Sequence, residues 1–96
     1  MTYVANRIPT ADRFPATAQL RCPGSVRINI DVEAAHIYYQ LGDSWPAPQW
    51  RDEIALPPGF RSLDQRADAV RVRSAAPGQP AIVTIAAYPL EEIGGG

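Results

Sequence analysis

The side chains able to do acid–base, nucleophilic or metal chemistry are few in this chain, and their spacing assembles none of the familiar sites. His36 is the one histidine, and no nucleophile is spaced to partner it. Ser25, Ser44, Ser62 and Ser74 lack a nucleophile-elbow context and a neighbouring acid–base set. The carboxylate pairs Asp31/Glu33, Asp52/Glu53 and Asp64/Asp68 do not follow the loop pattern of a calcium site and read as solvated strand ends or turns. Cys22 is the sole cysteine, so no disulfide closes within the chain. It has no His or Lys beside it to lower its pKa and reads as a small core residue. One Cys and one His give no metal-ligand spacing, and there is no glycine-rich phosphate cradle. These residues predict no catalytic centre, no metal and no cofactor, hence a chain that is not an enzyme.

Aromatic and arginine side chains are the stronger signal. Trp45 and Trp50 bracket a proline-rich loop and follow closely on Tyr38 and Tyr39. Three roles are open to such rings: plugging one end of the fold under Pro46 and Pro48, forming a protein interface, or offering a stacking platform to a glycan. All nine basic residues are arginine, a choice that suits planar contacts at interfaces or reflects codon usage. The candidates for interface or binding residues are Tyr3, Phe14, Tyr38, Trp45, Trp50, Arg71 and Arg73.

The elements that must position them read as strands. Residues 67–88 place Val70 and Val72 in alternation with Arg71 and Arg73, then an Ala-Pro-Gly-Gln turn, then an apolar run over 81–87. This predicts a hairpin whose second strand is covered on both faces, by its own domain or by a partner. In 26–32, Val26, Ile28, Ile30 and Val32 share one side. In 35–41, Ile37, Tyr39 and Leu41 point inward, predicting a second hairpin. Shorter strands are expected at 17–22, closed by Pro23-Gly24, at 50–56, and at 59–63 with Phe60 as anchor. About seven short strands with turn signals between them predict an all-β protein. The expected architecture is a small antiparallel β-sandwich, immunoglobulin- or fibronectin-like, with an extended N-terminal arm. The division is an arm over 1–15, the sandwich over 16–90 and a polar, glycine-rich tail over 91–96.

Ninety-six residues amount to one domain, and a domain this small has a thin stability margin. Docking in an assembly is one remedy. The net charge of −1 is spread evenly, which excludes a nucleic-acid footprint, and no apolar run approaches membrane-spanning or signal-peptide character.

The segments VRINIDV, IYYQLGDSWPAP, FRSL with ADAVRVRSA, and GQPAIVTIAAY span roughly residues 26–88. In them the chain resembles small accessory virion proteins of tailed phages that infect actinobacteria. That resemblance implies a non-enzymatic structural protein of the virion, made in the host cytoplasm. It would be a capsid decoration protein or, alternatively, a minor tail protein, oligomeric and docked on other virion proteins. A carbohydrate-binding module for host attachment is the competing expectation, resting on Trp45, Trp50 and Tyr38. No catalytic residue is implied.

Overall fold

A computed structural model describes residues 2–14 and 18–93. The class is as the alternation predicts: all-β and antiparallel. The strands are β1 (Tyr3–Pro9), β2 (Gln19–Val32), β3 (Ile37–Asp43), β4 (Gln49–Trp50), β5 (Ile54–Leu56), β6 (Gly59–Leu63), β7 (Ala67–Ser74) and β8 (Ile82–Pro89). One helical turn, α1 (Leu90–Ile93), follows. Of the expected tail, residues 94–96 lie outside the described residues, as do Met1 and residues 15–17.

All strands belong to one hydrogen-bonded sheet, folded over at β2. This fourteen-residue strand runs straight through the Pro23-Gly24 pair that the sequence suggested would end it. Its first part pairs with β7 (Leu20 opposite Val70); its second pairs with β8 on one edge (Ile30 opposite Ile85) and β6 on the other (Ile30 opposite Arg61). The register slips between Arg21 and Ser25, and Gly24 there has φ 70°, a conformation that L side chains rarely adopt. A strand that bends and changes partner is how one sheet becomes two layers. One layer is β1–β8–β2–β6 and the other is β2–β7–β3 with β4 and β5.

The inward faces agree with the sequence pattern. Ile28, Ile30 and Val32 lie directly across from Ala87, Ile85 and Val83, and all six are buried. On the other layer Ile37, Tyr39 and Leu41 are buried beside Val70 and Val72. Cys22 is fully buried, and burial pushes its thiol up to about 11. Phe60, expected as an anchor, is 64% exposed because β6 is paired on one edge only and turns that ring outward.

Neither predicted hairpin forms. β7 pairs with β2 and β3, whereas β8 pairs with β1 and β2. The Ala76–Gln79 turn does close, Gln79 N donating to Ala76 O at 3.1 Å, but the strands leave it in different layers. The N-terminal segment takes the groups a hairpin would have used: Thr10 N donates to Ala81 O, Ala81 N to Thr10 Oγ1, and Ser74 N to Ala11 O. The buried Ser74 hydroxyl donates to Gln79 O at 2.5 Å and accepts from Ala76 N at 3.2 Å, satisfying the crossover from within. Likewise β2 and β3 do not pair: Glu33 N continues the β8 ladder to Ile82 O, while Ala75 N donates to His36 O in the other layer. The segment read as an arm is a sheet strand over its first part, with Tyr3 opposite Ala87 and Ile8 opposite Val83. It pairs along one edge of β8, whose Val83, Ile85 and Ala87 are buried while Ile82, Thr84, Ala86 and Tyr88 are half-buried, so the expected cover on both faces is complete on one face only.

Candidate functional site

Strand register alone places four polar or aromatic side chains on the outer face of the β2–β7–β3 layer. Tyr38 lies opposite Arg73 and Gln40 opposite Arg71, with Gly42 next along β3. Gly42 faces Trp50 across the short β3–β4 pair. The indole lies flat on that glycine: a Cβ at Gly42 would stand 2.8 Å from Trp50 Cζ3 and 3.0 Å from Pro48 Cβ. Glycine is there for close approach, and Gly42→Ala is expected to lift the ring and cost about 1–3 kcal/mol. Thermal melts and tryptophan emission would report both effects.

With the indole seated, the arginines interleave with rings. The Arg71 guanidinium carbon is 4.2 Å from the Trp50 ring centre and 4.3 Å from that of Phe14, which comes from the segment after β1. Arg73 lies 4.5 Å from the Tyr38 ring and 5.6 Å from Phe14. The result is a stack in the order Trp50, Arg71, Phe14, Arg73, Tyr38. Each contact of this kind contributes roughly 0.5–2 kcal/mol, more where water is excluded. Arg73 Nε donates to Glu53 Oε1 at 2.5 Å, and this contact raises the Arg73 pKa. Arg71 Nε donates to the neutral Gln40 Oε1 at 3.0 Å, and burial lowers its pKa.

Five of the seven candidate residues thus meet in one stack. The other two do not. Tyr3 packs half-buried on β1, against the core from the opposite layer. Trp45 is half-buried in the β3–β4 loop, with Arg21 5.5 Å from its ring centre.

A second feature had no sequence signal. On the inner face of the same layer, Tyr39, Leu41 and Ile54 line a pocket of about 220 Å³ with Arg51, Asp52 and Gln65. Tyr39 and Ile54 are cross-strand partners and share a face of the sheet, Tyr39 within the core and Ile54 at its margin, 45% exposed. Tyr39 and Leu41 read as ordinary core positions; the space beside them arises because β5 is only three residues long. Arg51 is held by Asp43 through Nε at 3.0 Å and Nη2 at 2.5 Å and also donates to Arg66 O, which leaves its charge neutralised. Asp52 has no ion pair or hydrogen bond among the described residues. Burial raises the Tyr39 hydroxyl pKa, opposed by the charge of Arg61.

No protein-family model matches the chain, and no curated protein matches it. Solved structures do. A cobalt(II) form of HppE in complex with Tris buffer aligns with TM-score 0.52 at 15% identity, covering 91% of this chain and 44% of that one. Hydroxypropylphosphonic acid epoxidase from S. wedmorenis in complex with fosfomycin aligns with TM-score 0.50 at 17% identity, covering 90% and 41%. The chain therefore spans less than half the length of the proteins it matches, and the likeness is one of fold. This corrects the expectation of a non-enzymatic virion structural protein. Decoration protein, minor tail protein and glycan-binding module all give way, since the matching structures are those of an epoxidase.

The metals named with that enzyme find no matching ligand set here. The chain has one histidine, His36, which is exposed at the start of β3. Among the described residues no group of three or more His, Cys, Asp or Glu side chains is placed to hold a metal ion.

Proposed function

We propose that this chain is a small-molecule-binding domain of the cupin-like type, which takes its ligand into the pocket on the inner face of β3. The observation that carries this is the pocket itself, where the core residues Tyr39 and Leu41 form the floor of an opening rimmed by Arg51, Asp52 and Gln65. Apolar walls with a few convergent polar groups are the usual make-up of a ligand site. At about 220 Å³ the space is below the roughly 300–1,000 Å³ typical of drug-sized ligands, so it suits a single ring or a short chain.

Charge selects the ligand class. Arg51 is already neutralised by Asp43, while the Asp52 carboxylate is not matched by a cation. A ligand with an apolar body against Tyr39, Leu41 and Ile54 and an ammonium or hydroxyl donor toward Asp52 and Gln65 fits that arrangement. The fold likeness supports an enzyme-type scaffold. The epoxidase's own reaction is not carried over, because among the described residues no group of His, Cys, Asp or Glu side chains is placed to hold a metal.

The test is an amide-resolved NMR titration of the full chain with benzylamine, benzyl alcohol and benzoate. Saturable shifts at Tyr39, Leu41 and Ile54 are expected, strongest with the amine and weakest with benzoate. Ile54→Trp fills the pocket and should remove them, and Asp52→Asn should weaken amine binding about threefold to tenfold. Shifts that never saturate, or that fall elsewhere on the domain, would overturn the assignment.

A further inference from the structure

We infer that the outer face of the β2–β7–β3 layer carries a second binding site, for an oxyanion (a carboxylate or phosphate group), with Arg71 as its anchor. It lies on the opposite side of β3 from the inner pocket and does not depend on it: Gln40 of the stack alternates with Tyr39 and Leu41 of the pocket.

The argument starts from what surrounds the guanidinium. Two rings lie against it, Trp50 at 4.2 Å and Phe14 at 4.3 Å, and its hydrogen bonds form in the guanidinium plane. Nε is used by Gln40 Oε1 at 3.0 Å. The two terminal nitrogens donate to nothing among the described residues, which leaves the fork that matches two oxygens of a carboxylate or phosphate.

Charge runs the same way. Glu53, the carboxylate nearest the stack, is taken up by Arg73. Asp12 bears on Arg73 as well. Arg71 has only a neutral amide as hydrogen-bond partner, and the carboxylate that bears on it, Glu53, is already paired with Arg73, so this half-buried guanidinium has no carboxylate of its own. The rings hold the guanidinium plane in place before any ligand arrives, which lowers the ordering cost that an exposed arginine would incur on binding. A ligand oxyanion would complete a set of contacts the protein has arranged for all but its last two donors.

The experiment is an NMR titration of the full chain at constant ionic strength, following the Arg71 Nε–H and Trp50 indole N–H signals. Inorganic phosphate and sodium acetate are the probes and sodium chloride is the control, which removes general screening from the comparison. The expected result is a saturable shift of both signals with an oxyanion and none with chloride. A response to phosphate alone assigns a phosphate group, and a response that includes acetate assigns a carboxylate as sufficient. Arg71→Lys keeps the charge but loses the planar fork, and should weaken binding at least about tenfold. Gln40→Glu leaves Arg71 in place but supplies a competing internal carboxylate, and should weaken binding as well. An equal response to chloride, a response undiminished in both variants, or no saturable response to either oxyanion overturns the site.

Discussion

Ile30→Ala is expected to destabilise the protein by about 3–4 kcal/mol and to lower its melting temperature by about 15–25 °C. The side chain is fully buried in the part of β2 that has a neighbour on each edge, Arg61 of β6 and Ile85 of β8. Removing it leaves a cavity where the two layers meet, flanked by strands that cannot close in without losing register. For a domain of this length, total stability is on the order of 5–14 kcal/mol, so the loss is a large share of the whole. Ile30→Val removes a single methylene and should cost only about 1 kcal/mol, which separates packing from any general sensitivity of β2. Circular dichroism melts of the three proteins check this. Equal melting temperatures would mean that Ile30 is not held between two packed layers.

Asp68→Ala is the second large effect, expected at about 2–3 kcal/mol. One oxygen of this carboxylate accepts from Gly24 N at 2.8 Å and the other from Ser44 N at 2.9 Å. Asp68 therefore ties the bend of β2 to the turn that leaves β3, and alanine would strand two backbone donors at once. The same two hydrogen bonds hold the Asp68 pKa below the ordinary carboxylate value, with burial opposing them. The sign of the pH effect follows from that lowering. A carboxylate with a lowered folded-state pKa contributes stability above its unfolded value, about pH 4, and loses it as pH falls through the folded value. Asp43, lowered chiefly by its hydrogen bond to Arg51, acts in the same direction. Wild-type stability should fall on acidification below about pH 4. Asp68→Asn should fall less steeply because it lacks this ionisation. Urea unfolding at pH 7, 4 and 3 measures the difference, and identical slopes for the two proteins would exclude Asp68 as a contributor.

Strand order was the part of the fold that the sequence did not reveal. Alternation of Val70 and Val72 with Arg71 and Arg73 states which side of a strand is wet, and the structure agrees at each of these positions. It carries no information about which strand lies alongside. Proximity in sequence suggested a β7–β8 hairpin, yet Thr10 and Ala11, some seventy residues away, occupy the backbone groups at that turn. The strand-ending character of Pro23-Gly24 was misread for a related reason. A Pro-Gly pair signals a change of direction, and only the neighbours decide whether a strand stops there or bends and continues into a second layer.

The candidate sites divide in the same way. Residue type pointed to Phe14, Tyr38, Trp50, Arg71 and Arg73, because planar cations and rings are the side chains that stack. Their convergence belongs to the tertiary structure: four elements separated by up to fifty-nine residues contribute to one stack. The inner pocket could not be read at all. Tyr39 and Leu41 are core residues both by alternation and in the structure, and the space beside them goes with the shortness of β5.

By itself, then, the sequence determined the β class, the buried faces of β3, of β7 and of β2 from Ile28 to Val32, and the buried place of Cys22, because these depend on local period and side-chain polarity. The tertiary structure decided the pairing of strands, the fold of β2 into two layers, and the meeting of distant aromatics, arginines and carboxylates. Those outcomes turn on contacts between residues far apart in the chain, where hydrogen-bond satisfaction and packing choose among partners that local pattern leaves equivalent.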